Sequence, residues 1–304
     1  MIGLAAQAGA DAVKFQTIVP DRLVPASQTD RLAQLRKLRL SYTEFEKLAA
    51  VARQAGLQFL STPFDVESVD FLAPLVPAFK VASGDNQFYP LIERIARTAK
   101  PMMISTGLAT DAELLATRDR VYTVWDQMDV RPQLALLHCV AAYPTPSPEA
   151  NLGAIRRLEN LGCVVGYSDH TLGIEAPVLA VALGARIIEK HFTIDKQYSD
   201  FRDHQLSADP QEFGDMVTRI KQAQTLLGRG DTEVSESEQA GVQAFRRSIV
   251  AAVDLPRGVT VERDRITWLR PGGGLPPGQE DLVVGKVIKQ GLRAGEMILP
   301  DNLE

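Results

Sequence analysis

The chain has 304 residues, 45% hydrophobic and 23% charged, with a formal net charge of −5. That balance suits a soluble globular protein with one large domain and one small one, and the absence of any basic run argues against a nucleic-acid partner. No apolar run approaches the ~20 residues of a membrane span. The opening MIGLAAQAGAD does not read as a signal peptide, and two cysteines, Cys139 and Cys163, make no disulfide framework. The expected location is therefore the cytoplasm, with no membrane partner.

Short apolar runs alternate with longer amphipathic stretches. In chain order the strand-like runs are 12–17 (AVKFQT), 58–64 (QFLSTPF), 78–83 (AFKVAS), 101–106 (PMMIST), 134–140 (LALLHCV), 163–170 (CVVGYSDH) and 186–193 (RIIEKHFT). Their near-continuous apolarity predicts strands covered on both faces. Helices are predicted over 41–56, 90–100, 111–128, 148–161, 174–185 and 209–227, several ending on a glycine that leads into the next strand. This alternation predicts an α/β fold with a parallel sheet. Its length and regularity favour a (β/α)8 TIM-type barrel over an open doubly wound sheet. Only seven strands are visible. The chain opens inside what should be the first helix (1–9), so strand one is expected to be missing and the chain to be N-terminally incomplete.

After Gly228 the composition changes. The expected organisation is a barrel domain over 1–228, a polar linker over 229–246, with or without a short helix, and a small β-rich domain over 247–304.

A barrel places its active site at the C-terminal ends of its strands, and the polar residues concentrate there. Lys14 and Gln16 share a face of the first run. Ser61 and Thr62 end the second, Lys80 and Ser83 the third, Ser105 and Thr106 the fourth, and His138 the fifth. Ser168 and His170 close the sixth, Glu189 and His191 the last. Two lysines inside apolar runs, facing one mouth, point to a phosphate or carboxylate ligand, because an unpartnered buried lysine is costly. His170 and His191, on adjacent strand ends, suit a divalent cation such as Mn2+ together with water or substrate oxygens. Ser168-Asp169-His170 is not a hydrolase triad, since Asp169 faces away from its neighbours and no nucleophile elbow is present. The glycines at 272–274 precede prolines and are a poor nucleotide loop. Both cysteines read as packing residues.

In this order, VKFQT, STPFD, KVASGD, ISTGL, LLHCVAAYPTP, GYSDHTLG and EKHFTID resemble the N-acetylneuraminate (sialic acid) synthase family. RRSIVAAVDLPRGV, LRPGGGLPPG and VVGKVI resemble its C-terminal antifreeze-like, or SAF, domain. The resemblance implies a transferase of carbohydrate biosynthesis. Such an enzyme condenses phosphoenolpyruvate with N-acetylmannosamine, its 6-phosphate or a di-N-acetyl sugar to give a nonulosonic acid and phosphate. It implies a phosphoenolpyruvate site at Lys14, Thr62, Lys80, Ser83, Ser105 and Ser168. Sugar contacts would come from Gln16, Asp85, Tyr143, Glu189, Asp203 and Arg270, and a divalent metal (Mn2+, with Mg2+ or Co2+ as alternatives) from His170 and His191. Catalysis would centre on Lys80, Glu189 and His191. It also implies a domain-swapped homodimer in which Arg270 acts on the partner's site. Ala141, Asp85, Arg246 and the segment 199–207 depart from the family pattern and leave the sugar open. The alternatives are another phosphoenolpyruvate-dependent 2-keto-3-deoxy acid synthase, against which the C-terminal domain argues, and a non-catalytic or truncated sugar-binding homologue, against which both lysines and both histidines argue.

Overall fold

The apolar runs fold as seven short parallel strands. They are β1 (Ala12–Thr17), β2 (Gln58–Pro63), β3 (Phe79–Val81), β4 (Met102–Ser105), β5 (Leu134–Cys139), β6 (Val164–Asp169) and β7 (Ile187–Lys190). The computed structural model describes residues 1–304, the side chain of Arg202 excepted. Two compact units are present, Met1–Gly228 and Arg229–Glu304.

In the first unit β1 pairs with β2, and β3, β4, β5, β6 and β7 pair in chain order. Among the described residues no ladder joins β2 to β3 or β7 to β1. The sheet is thus a parallel half-barrel in two ladders, with the seven strands expected of a (β/α)8 TIM-type barrel lacking its first. The expectation of strands buried on both faces holds for β3 and β5, which are buried throughout. It fails for β7, half-exposed along its length, and for β1, where only Thr17 is buried. β2 and β3 are also ladder ends but pack side by side, whereas no ladder covers the outer sides of β1 and β7.

The helices are α1 (Ile2–Gln7), α2 (Pro20–Leu23), α3 (Thr29–Leu38), α4 (Tyr42–Gln54), α5 (Val66–Leu72), α6 (Tyr89–Ala96), α7 (Asp111–Gln127), α8 (Ala154–Glu159), α9 (Glu175–Ala182), α10 (Arg202–Leu206) and α11 (Pro210–Leu227). Local chemistry sets their starts. Ser41 with Glu44, Thr110 with Glu113 and Asp209 with Glu212 form reciprocal capping boxes that satisfy otherwise orphaned backbone N–H groups. Their exits use glycine where the backbone turns left-handed, as at Gly56 (φ +77°) after α4 and Gly184 (φ +104°) after α9. The helix predicted over 148–161 begins late, at Ala154. A 3-10 turn at Ser147–Glu149 and a left-handed Asn151 (φ +44°) precede it.

Phe45, Phe59, Leu72, Phe79, Ile92, Met102, Ile104, Trp125 and Leu136 are fully buried between sheet and helices. Each contributes roughly 1.5–3 kcal/mol relative to exposure. This core fixes the strand directions and leaves the polar C-terminal ends together.

The second unit opens with α12 (Glu236–Phe245), a helix inside the segment expected to be linker. Antiparallel β8 (Ser248–Ala251) and β9 (Ile266–Leu269) follow, packed on a small core that includes Ile249, Val261, Val283, Ile288 and Ile298. The VVGKVI run makes isolated bridges from Val287 and Ile288 in place of a continuous strand. No helix among the described residues is long and apolar enough to cross a membrane.

Candidate active site

Glu189 organises the site. It faces the strand ends from β7, and Ser168, its register partner on β6, donates a 2.8 Å hydrogen bond to Oε1. Two ammonium groups approach the same carboxylate: Lys14 Nζ from β1 at 3.6 Å and Lys80 Nζ from β3 at 3.7 Å. Residues from the first, middle and last strands therefore converge on one point.

Lys80 is 2% exposed and donates to Ser105 Oγ (2.6 Å) and to the Val81 carbonyl (3.0 Å). Burial pulls its ammonium down, Glu189 partly offsets that and Lys14 adds to it, so the pKa falls to about 8. Burial also raises the Glu189 carboxyl, but Lys14 and then Lys80 outweigh it and hold the pKa at about 2. Both lysine contacts to Glu189 are longer than a hydrogen bond. Two cations thus share one carboxylate at arm's length, which leaves net positive potential for an incoming anion.

Hydroxyls border this charge. Thr62 Oγ1 at the end of β2 and Ser83 Oγ just past β3 are buried and have no hydrogen-bond partner in the protein. Ser83 Oγ lies so close to Gly107 that a Cβ there would stand 2.8 Å from it. The missing side chain gives the hydroxyl its space.

Beside this cluster stand the rings. His170 and His191 have centroids 5.3 Å apart at 72°, and Tyr143 lies 4.1 Å from His170 and 6.1 Å from His191. His170 Nδ1 is 2.8 Å from the Val140 carbonyl. A carbonyl only accepts, so Nδ1 carries a proton, and in the neutral ring Nε2 is bare. Burial, then His170 and Lys14, drive the His191 imidazole down to about 4. His170 is raised, because its Cys139 and Val140 contacts outweigh burial. The pair therefore holds at most one extra proton near neutral pH. Asp203, after β7, contributes an attractive charge to His191.

The structure brings Lys14, Lys80, Ser105, Ser168 and Glu189 into one bonded cluster, with His170, His191 and Tyr143 in a ring cluster. Gln16 is exposed on β1, and no hydrogen bond or ion pair joins it to the cluster. Asp85 sits in the turn after β3, where burial raises its carboxyl. Arg270 belongs to the second unit, with its guanidinium 5.7 Å over the Phe245 ring. His138 donates from Nε2 to the Ala150 carbonyl at 2.8 Å and takes no part in the ring cluster.

Two features escaped sequence reasoning. Cys139 does not merely pack: its Sγ is 3.8 Å from His170 Nδ1, and His170 draws the thiol below its ordinary pKa although burial pushes it up. Asn86 is the second. Its side-chain amide donates to the carbonyls of Ser105 (3.2 Å) and Gly107 (2.9 Å), fixing the β4 end. Asparagine two residues past a strand and its Ser-Gly turn is a weak signal for such bracing.

Among the described residues no group of three or more His, Cys, Asp or Glu is disposed to hold a metal. His170 and His191 nonetheless fit a cation that takes its remaining ligands from water or substrate, since His170 presents Nε2 with its tautomer fixed by a backbone carbonyl.

Comparison with known proteins places this geometry in context. The NeuB family profile matches residues 1–232, and that of the SAF domain matches 246–304. The N,N'-diacetyllegionaminic acid synthase of Legionella pneumophila is 37% identical over 320 residues, covering 100% of this chain and 89% of that protein. A pseudaminic acid synthase of Campylobacter jejuni is 34% identical, covering 98% and 89%. The crystal structure of the N-acetylneuraminic acid (sialic acid) synthetase of Leptospira borgpetersenii, in complex with citrate, superposes with a TM-score of 0.73 at 33% identity. It covers 80% of this chain and 83% of its own.

Proposed function

Because the chain belongs to the NeuB family and is a synthase-type transferase, we propose that its site condenses phosphoenolpyruvate with the open-chain aldehyde of an amino sugar, releasing phosphate. One observation carries this most: two lysines share a single carboxylate, beside buried hydroxyls at Thr62 and Ser83 that have no protein partner. That arrangement suits a small, multiply charged anion rich in acceptor oxygens.

In this proposal Lys80, Lys14 and Ser105 hold the phosphoenolpyruvate anion, with Thr62, Ser83 and Ser168 completing its hydrogen bonds. Fixing the anion turns a bimolecular encounter into a positioned one, with C3 facing the sugar's carbonyl carbon. A C–C bond forms between these carbons, water adds at C2, and the C2–O bond to phosphate breaks. The products are a 2-keto acid and phosphate. Glu189 and Asp203 orient sugar hydroxyls, with Gln16, Tyr143 and Asp85 lining the sugar's path. Glu189 is ionised throughout the working pH range, so it accepts hydrogen bonds and does not act as an acid. A divalent cation held by His170 and His191 supplies Lewis-acid polarisation of the sugar carbonyl when bound.

The test is phosphate release from phosphoenolpyruvate with N-acetylmannosamine, its 6-phosphate and di-N-acetyl sugars, with Mn2+ and after chelation. The di-N-acetyl sugars lead the panel because of the relatives' names. Stoichiometric phosphate and keto acid with one sugar supports the proposal. No phosphate with any sugar in the presence of Mn2+ overturns it.

A further inference from the structure

Two cross-strand couples end β6 and β7, and a pair of rings follows them. Ser168 and Glu189 are register partners and meet on the site face. Asp169 and Lys190, the next register partners, point to the opposite face by the two-residue period of a strand. His170 and His191 follow and return to the site face, where their rings meet.

The second couple is a buried ion pair. Lys190 Nζ lies 2.6 Å from Asp169 Oδ2, with side chains 1% and 0% exposed. Both members make further hydrogen bonds. Lys190 Nζ also donates to the Thr171 carbonyl at 2.5 Å, and Asp169 Oδ1 accepts from Tyr167 Oη (2.9 Å) and from the Thr171 N–H (2.8 Å). The pair therefore ties β7 to β6 and to the residue just past His170. Tyr167 extends the link by stacking on His138, with centroids 5.8 Å apart.

A charge pair so deeply buried adds little net stability, because two desolvated ions gain about what they lose; such pairs are retained for geometry in the systems where they matter. We propose that the Asp169–Lys190 pair is a positioning clamp. It locks the stagger of the two strand ends so that His170 and His191, each one residue further on, present their rings as a preformed pair. The inference rests on the two-histidine cation site proposed above.

An Asp169→Leu/Lys190→Met double variant of the full chain tests it. Replacing both ions with apolar groups of similar size leaves no unpaired charge but takes partners from Tyr167 Oη and from the Thr171 N–H and carbonyl, so the melting temperature is expected to fall by several degrees and binding is read well below it. Mn2+ affinity, measured by electron paramagnetic resonance without substrates, is expected to fall at least tenfold. In metal-free protein, with only histidines protonated, the ring-to-ring nuclear Overhauser contact between His170 and His191 is expected to weaken or vanish. A folded double variant that keeps both the parent's affinity and the ring contact overturns the clamp. Should the double variant fail to fold, Lys190→Arg decides: it keeps the charge pair but alters its geometry. Weakened affinity or ring contact at unchanged melting temperature supports the clamp, and full retention of both overturns it. If the parent itself binds no Mn2+, or His170→Ala and His191→Ala bind it as the parent does, the cation site fails. The ring-contact measurement still decides the clamp.

Discussion

Lys80→Met separates the ligand-binding role of this lysine from its place in the fold. In the folded protein its pKa falls from 10.5 to about 8. The unfolded chain thus binds that proton more tightly, by about 2.5 pKa units or roughly 3 kcal/mol. Below pH 8 the folded state carries this cost in full, and it fades as pH rises from 8 towards 10.5. At neutral pH methionine removes it but leaves Ser105 Oγ and the Val81 carbonyl without their donor, a loss of roughly 1–3 kcal/mol. The two nearly cancel, so net stability should change by no more than about 2 kcal/mol. Activity has no such compensation. Losing one charged hydrogen-bond donor to an anion costs about 1.5–3 kcal/mol, or roughly 10- to 150-fold in kcat/KM for phosphoenolpyruvate. Initial rates of phosphate release at varied phosphoenolpyruvate, beside urea denaturation, read both quantities. The ammonium is the binding form, so the parent's kcat/KM should also fall about tenfold per pH unit above pH 8. A variant that keeps kcat/KM within twofold of the parent while losing more than about 4 kcal/mol of stability would refute the reasoning.

Two further predictions follow from the hydroxyls and their supports. Ser83→Ala removes a buried hydroxyl that no protein group satisfies, so its melting temperature should hold or rise while KM for phosphoenolpyruvate increases; a lower melting temperature with unchanged KM would assign Ser83 to the scaffold. Asn86→Ala strands two backbone carbonyls at the β4 end, and should cost about 2–3 kcal/mol in urea denaturation and lower kcat through a displaced Ser105; parent-like denaturation would show that these hydrogen bonds are dispensable.

Much of this organisation is legible in one dimension. In Ala12–Thr17 apolar residues alternate with Lys14, Gln16 and a closing Thr17, and the segment forms a strand with those limits. Lys80 stands out because an amine flanked by Phe79 and Val81 has few ways to be solvated. Other elements leave no such trace. Helix α3 buries only Leu32 and Leu35 among charged neighbours, too thin a stripe to mark a helix face. Helix α5 is seven residues long, started by Asp65 accepting from the Ser68 N–H, and so short that its periodicity barely completes two turns. The Asp169–Lys190 pair is invisible because 21 residues separate its members, and only the pairing of β6 with β7 sets them opposite one another. The half-exposure of β1 and β7 is hidden for a related reason. Apolarity shows that a strand can be covered, and only the sheet shows whether a neighbour covers it.

That half-exposure has a kinetic consequence. The first and last strands meet through the Lys14–Glu189 ion pair and not through a backbone ladder. Amide hydrogens along β1 and β7 should therefore exchange with solvent faster than those of β4 and β5, which are paired on both sides. An anion that draws Lys14 and Lys80 away from Glu189 would change the contact spanning these two strands. The reactant thereby becomes part of what holds the flanks in place, and the rim of the sheet can tighten as the substrate arrives.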